Sequence, residues 1–481
     1  MTNLVDTSFP MNQALQLIYP TVDLFLYDLH DGLGQSTEEI DQNRQDFWQR
    51  IYGDNLNEDK LATFKGAEGN FASYIELLGS QVIERFKHPF NGYYYPVKLG
   101  DTYALQVDCS GKQDDWEWLQ LPLQDKLREI KEIILDHTQN KRGKLGQSWL
   151  IWGQMALPGQ NPEETAKECY EGMEIVPQAK WERDLTGKGK FRGATLFELE
   201  LPDASGEGFN RNHHVLICLF PNEQNLDEIH QYVGKLYPEL IRLFHNRNKV
   251  LWVYEQSRQI KAKLKSEQGE IQSIVDSLPK LISKPRLNLR QLQQDLADAL
   301  AVSYPYEANL GYLQEQGNTI ELNTKNYLNR AKTIAKQGSE NNLQFLTKFY
   351  QYAKEKCLTQ VNSDYQALGA GLKPLENFIK TIEGIIEIEQ TKNERSLNKT
   401  IAVASVGIGA ASISAAILDD KVEKIIEYYL IEEEQLPSPL RGRDILPQVT
   451  LWANPVVTFS LSLVIGLIFA GITGLLVRKG K

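Results

Sequence analysis

The sequence predicts an α+β cytosolic domain, then a long helical stalk or bundle, then a C-terminal two-helix transmembrane hairpin. Three observations carry this. Strand-like and amphipathic helical runs are mixed between about 91 and 224. After Asn225 the chain turns helical and mostly stays so. Two long uncharged stretches lie beyond residue 400. The mean hydropathy of −0.40 hides that last feature, because nearly all the lipid-compatible sequence is at the C-terminal end. At 481 residues the chain has room for several domains.

Residues 1–90 read as mainly helical. "STEEIDQNRQDFWQRIYG" opens with Ser36 and Glu39 at capping-box spacing and closes at Gly53. "LATFKGAEGNFASYIELLGSQVIERF" continues the helical character through two glycines. Between 91 and 224 the expectation is an α+β domain with a mainly antiparallel sheet and helices on one side. "YYYPVKLGDTYALQVDCSG" reads as two strands around Gly100-Asp101. "PLQDKLREIKEIILDH" puts Leu123, Leu127, Ile130, Ile133 and Ile134 on one helical stripe. "SWLIWGQMALPG", "ATLFELELPD" and "HHVLICLFPN" read as further strands.

Residues 225–400 are expected to form the stalk. Its first helical run exceeds 50 residues with Pro238 inside it, roughly 75–80 Å if straight. Pro279 and Pro285 break it. Helices over about 288–302, 307–336 and 341–368 follow, and Pro374 starts a last one. There Leu375, Phe378, Ile379, Ile382, Ile385 and Ile386 step by threes and fours.

The stretch 401–418 has 18 residues without a charge, about 27 Å as a helix against a ~30 Å hydrocarbon core. The stretch 456–477 has 22 uncharged residues and precedes a basic tail, 478–481. Together they predict a hairpin around the connector 419–455. Lys392, Arg395 and Lys399 flank one end and Arg478, Lys479 and Lys481 the other, so both termini are expected in the cytoplasm of an inner (plasma) membrane protein. In the second helix Ser462, Gly466, Ala470 and Thr473 form a small-residue packing face. In the first, Ser405, Gly409, Ser412 and Ala416 line one side, and the segment has few bulky side chains. Such a helix suits the interior of a bundle, which one hairpin cannot build alone, so a homo-oligomer is expected with these four residues toward a pore. Asp419, Asp420, Glu423 and Glu427 would then ring an acidic external mouth that concentrates cations; the alternative is a solvated amphipathic helix with Val422, Ile425, Ile426 and Tyr429 inward.

A cytosolic α/β region, a helical stalk, two C-terminal membrane helices and a short basic tail resemble the CorA-type magnesium transporter family in architecture. The resemblance implies a pentamer whose first membrane helix lines a pore. Where that family carries Gly-Met-Asn this chain reads "AAILDD", its connector is longer than the family's, and no family residue is carried over. The layout is also similar to divergent CorA-like membrane proteins without the motif, some of them associated with bacterial defence.

Other chemistry is sparse. The net charge of −11 gives no basic footprint, which excludes a nucleic-acid partner. Cys109, Cys169, Cys218 and Cys357 lie far apart, as expected of reduced cytosolic thiols rather than a zinc or disulfide framework. The N-terminus lacks a signal-peptide pattern. "TGKGK" (186–190) reads as a flexible basic turn rather than a phosphate loop. Adjacent strand residues His213 and His214 point to opposite faces and cannot share a metal. His30, between Asp28 and Asp31, reads as a loop or helix end near solvent. "DDWEW" (114–118) reads as a surface turn with anchoring tryptophans. No catalytic, cofactor-binding or metal-binding residue is assigned and no enzyme is expected. The function expected is a CorA-like channel or membrane effector controlled by its cytosolic domain through an unassigned ligand or protein. The alternative is a membrane-tethered binding or signalling module.

Overall fold

The computed structural model describes residues 15–32, 34–68, 72–86, 90–112, 115–175, 179–202, 209–283, 288–338 and 340–392. The stretches 401–418 and 456–477, the connector 419–455 and the tail 478–481 lie outside the described residues, and with them every pore-lining, mouth and packing residue assigned above. Among the described residues no helix is long and apolar enough to cross a membrane. The chain divides into two compact units, Met1–Ser266 with Glu307–Gly369, and Glu267–Tyr306 with Ala370–Lys481.

Strands β1 (Leu17–Leu29), β2 (Ile75–Glu76), β3 (Glu84–Phe86), β4 (Asn91–Leu99), β5 (Thr102–Ser110), β6 (Gly146–Met155), β7 (Leu185–Phe191), β8 (Ala194–Pro202) and β9 (Phe209–Phe220) belong to the first unit. They form one sheet ordered β2-β4-β5-β1-β6-β9-β8-β7, with β3 beside β4. The β6–β9 pairing is parallel and the others are antiparallel. The α+β class therefore holds, with a mixed sheet.

Helices α1 (Thr37–Tyr52), α2 (Glu58–Glu68), α3 (Trp116–Leu119), α4 (Leu123–His137), α5 (Pro162–Met173) and α6 (Trp181–Asp184) fill the connections. Ser36 and Glu39 close the expected capping box of α1. Leu123, Leu127, Ile130 and Ile134 of α4 are fully buried, with Val22, Leu24 and Leu26 of β1 in the same core. Phe47 of α1 stacks on Tyr103 at 4.4 Å between ring centroids. The expected surface turn with anchoring tryptophans is corrected: Trp116–Leu119 is the short helix α3, and of the two tryptophans Trp118 is buried while Trp116 is exposed.

Two further readings are corrected. Among the described residues of 15–90, helices α1 and α2 share the chain with a strand that the mainly helical reading did not include: β1 lies in the middle of the sheet between β5 and β6. Its alternation is interrupted at Tyr19-Pro20, where the register with β6 shifts and Tyr19 takes φ 55°. A proline tolerates this bulged position because no ladder hydrogen bond is asked of it. Nor do helices cover only one side. Strand period two sends Asp23, Phe25 and Tyr27 to the opposite face, where α7 (Leu226–Ile282) lies. Phe25 meets Phe244 edge-on at 5.2 Å, and the Tyr27 hydroxyl donates to the Ile241 carbonyl at 2.9 Å. Strands buried on both faces read as continuous apolar runs, so side-chain alternation could not reveal the second cover.

"TGKGK" is corrected as well: it is part of β7, paired with β8. A Cβ at Gly187 would stand 2.5 Å from the Phe345 ring, so this glycine serves close approach rather than a turn. The outer edge of β7 is closed by paired backbone hydrogen bonds, both 2.9 Å, between Lys190 and Asn342.

Helix α8 (Leu289–Ala335) runs unbroken through Pro305, where two helices were expected. Helices α9 (Thr347–Tyr352) and α10 (Thr359–Gly369) flank a π-helical turn, Ala353–Leu358. Last comes α11 (Leu372–Lys392). In the second unit Ile271, Leu292, Leu296 and Ala299 are buried, as are Leu375, Phe378, Ile379, Ile382 and Ile386 of the expected α11 stripe.

Candidate functional site

The sheet face under α7 carries a polar band that follows from strand register. One row runs Tyr93, Asp108, Asp23, Leu150, Leu216, Glu198. The neighbouring row holds Tyr95, Gln106, Phe25 and Ser148, with His214 and Glu200 paired beyond them. Phe25, Leu150, Leu216 and the α7 residue Phe244 form an apolar divide between two polar ends.

At one end Asp23 and Asp108 face each other as cross-strand partners. The Tyr237 hydroxyl of α7 lies 3.1 Å from Asp23 Oδ2 and 3.0 Å from Asp108 Oδ2. Trp152 Nε1 donates to the Tyr237 oxygen at 2.9 Å, and Gln106 Nε2 donates to Asp23 Oδ1 at 2.7 Å. Burial first, and then the facing Asp108 charge, push the Asp23 carboxyl well above the usual carboxylate range. Burial raises Asp108 too, against hydrogen bonds from Tyr237 and Tyr93.

At the other end His214 Nδ1 lies 3.0 Å from Ser148 Oγ and Nε2 lies 3.3 Å from Glu198 Oε1. Serine, histidine and acid thus have the connectivity of a nucleophile relay. Burial and the Arg247 charge hold His214 well below its usual pKa, while burial and then the Glu200 charge push the Glu198 carboxyl well above the usual range. Both shifts run against the imidazolium–carboxylate pair that a relay needs. Asn248 Nδ2 donates to the serine Oγ at 3.1 Å. Ser148 Oγ thus lies between the His214 ring and the Asn248 amide. Ser148, His214, Glu198 and Asn248 are all at most 2% exposed, so no substrate reaches them.

One ligand atom each from Glu198, Glu200 and His214 lie within 4.8 Å of one another, a spacing that could hold a metal ion. The protein already supplies the cation there. Arg247 of α7, fully buried, donates through Nε and Nη2 to Glu200 Oε1 at 2.8 and 2.6 Å. The donor set is thereby neutralised by a guanidinium and does not fit a metal. A cavity of about 10 Å³ bordered by Leu216, Leu240, Leu243 and Phe345 is apolar. A shallow concavity of about 400 Å³ lies along one helical face, with Tyr352, Lys356 and Gln360 among its residues.

His30 is buried rather than near solvent. It lies 3.3 Å from Glu68, which also accepts from Arg44 Nε at 2.8 Å and from Tyr103 at 2.6 Å. Burial lowers the His30 pKa, but the bonds to Asp31 and Glu68 outweigh it and raise the net value. Asp28 pairs with Arg50. His213 points away from His214, as expected, and meets Tyr170 at 3.0 Å. All four cysteines are buried and none is in a disulfide among the described residues, and burial pushes the thiols of Cys109, Cys169 and Cys218 up.

None of the residues in the polar band was singled out from sequence except His214. The signals were present: Asp23 interrupts an apolar run, Glu198 and Glu200 alternate in "LFELELP", and "HNRNK" (245–249) interrupts an apolar helix. No family model, curated protein or solved structure matches the chain.

Proposed function

We propose that the protein is an oligomeric CorA-like channel or membrane effector, held in a bilayer by its C-terminal hairpin and controlled by its cytosolic domain. The observation that carries this reading is the pair of uncharged stretches 401–418 and 456–477, with basic residues at both outer ends. The sealed polar band supports it from the other side: the chemistry gathered there fastens α7 to the sheet and is out of reach of a substrate. Cations pass, in this reading, along Ser405, Gly409, Ser412 and Ala416, with Asp419, Asp420, Glu423 and Glu427 at the external mouth. The channel and the effector differ only in what the conductance does to the cell.

The test is oligomeric state in detergent, followed by ion flux from liposomes holding wild type, Gly409→Leu or the double Asp419→Asn/Asp420→Asn variant. Flux from wild type, its loss in Gly409→Leu, and weaker cation preference in the double variant are expected. A detergent-stable monomer removes the pore. An intact oligomer without flux leaves a tethered binding module.

A further inference from the structure

The proton count around Tyr237 does not close. A tyrosine hydroxyl has one proton to give, yet two carboxylate oxygens lie at 3.1 and 3.0 Å from it, and its own oxygen already accepts from Trp152. Gln106 Nε2 serves Asp23 Oδ1, and Tyr93 serves Asp108. Among the described residues no donor reaches Oε1 of Gln106, a residue 1% exposed, and no cation pairs with either carboxyl, so acceptors outnumber protons. The charged group acting on Asp108 is Arg85 of β3, which lowers its pKa without forming an ion pair. The groups facing the two carboxyls are thus Gln106 of β5, Tyr93 of β4, Trp152 of β6, Tyr237 of α7 and, at longer range, Arg85. Two bare carboxylates opposed across a strand pair in the interior repel strongly.

We infer that Asp23, Asp108 and Tyr237 form a proton-binding site that latches the early turns of α7 to the sheet. One proton held by the carboxyl pair lets Tyr237 bridge both strands. When it leaves, the single hydroxyl proton serves one carboxylate only, the two charges oppose each other, and the α7 turn at Tyr237 loses half its polar anchor. The raised carboxyl of Asp23 sets the sign. A folded-state pKa above the unfolded value of about 3.9 gives stability that is present at low pH and lost as pH rises through the folded value. The inference concerns the first unit alone and stands whether or not the hairpin conducts.

Two measurements on the full-length protein in detergent test it. The infrared C=O stretch of a protonated carboxyl should be present in wild type at about pH 5, fade as pH rises toward about 9, and be reduced in Asp23→Asn and Asp108→Asn. Hydrogen exchange around Tyr237, corrected for intrinsic rates, should show local opening rising by up to about tenfold per pH unit as pH climbs toward the transition and levelling off above it, as release of one proton requires. Asp23→Asn should abolish that dependence, and Tyr237→Phe should leave the turn loosened at every pH while the infrared band persists. If both Asn variants fail to fold, the titration in Glu198→Gln, which removes the raised carboxyl at the other end of the band, and the exchange of Tyr237→Phe still decide. No titrating carboxyl band in wild type, or a band without pH-dependent opening at α7, overturns the inference.

Discussion

Arg247→Met should destabilise the first unit strongly, and Glu200→Gln should repair most of the damage. The guanidinium is fully buried, bonded twice to Glu200 Oε1, and centred 5.4 Å from the Phe349 ring. Methionine keeps much of the stem volume and removes the cation. Glu200, 2% exposed in its side chain, is then a buried carboxylate next to Glu198 with nothing to offset it. Breaking a buried pair by deleting one partner costs about 3–5 kcal/mol. For a domain of a few hundred residues each kcal/mol moves Tm by roughly 2–4 °C, so a fall of about 10 °C is expected. The double variant Arg247→Met/Glu200→Gln removes both charges, and exchanging a whole buried pair for neutral groups is often close to neutral. Its loss should be smaller than that of Arg247→Met alone, with a coupling of about 2–3 kcal/mol. Thermal unfolding of the full-length protein in detergent, followed by tryptophan fluorescence, reads both. If the double variant loses as much as the two single changes added together, Arg247 acts through its packing on Phe349 and the electrostatic argument fails.

Acid should weaken the fold through buried histidines. Burial lowers His213 to about 4 and His245 to about 3. Against about 6.5 unfolded, their stabilising contribution is complete above that value and is lost as pH falls toward the folded values, amounting to several kcal/mol; His213→Gln should flatten the pH dependence of Tm between about 4 and 6.5, and an unchanged slope would refute the assignment. Gly189→Ala places a Cβ against the Asn342 carbonyl and the Phe345 ring, so it should cost about 1–3 kcal/mol and expose the Lys190–Asn342 bridge to hydrogen exchange; normal protection there would contradict the close approach. In the second uncharged stretch, Gly466→Leu or Ala470→Leu should weaken the detergent-solubilised oligomer while Leu475→Phe is mild, and equal effects would mean the faces are misassigned.

What could be read in advance divides along a physical line. Features decided within a few residues were legible: the Ser36/Glu39 box, the Gly100 hairpin, the α4 and α11 stripes, and the opposed directions of His213 and His214. Features decided by distant neighbours were not. β1 contains a proline and a bulge, and only its place between β5 and β6 makes thirteen residues a strand. Gly187 carries no local sign that Phe345, more than 150 residues away, needs the space of its missing side chain. The polar band is the extreme case. Asp23 meets Asp108 because β1 and β5 pair in one register, and Ser148 reaches His214 because β9 returns parallel to β6 after the chain has built α5, α6, β7 and β8 between them. A one-residue slip in either pairing would send half of these groups to the other face. Isolated acids in apolar strands mark where a partner must exist, and topology alone names it. That is why Asp23 and Glu198, visible in the sequence only as acids in apolar strands, hold the two ends of the surface on which α7 rests.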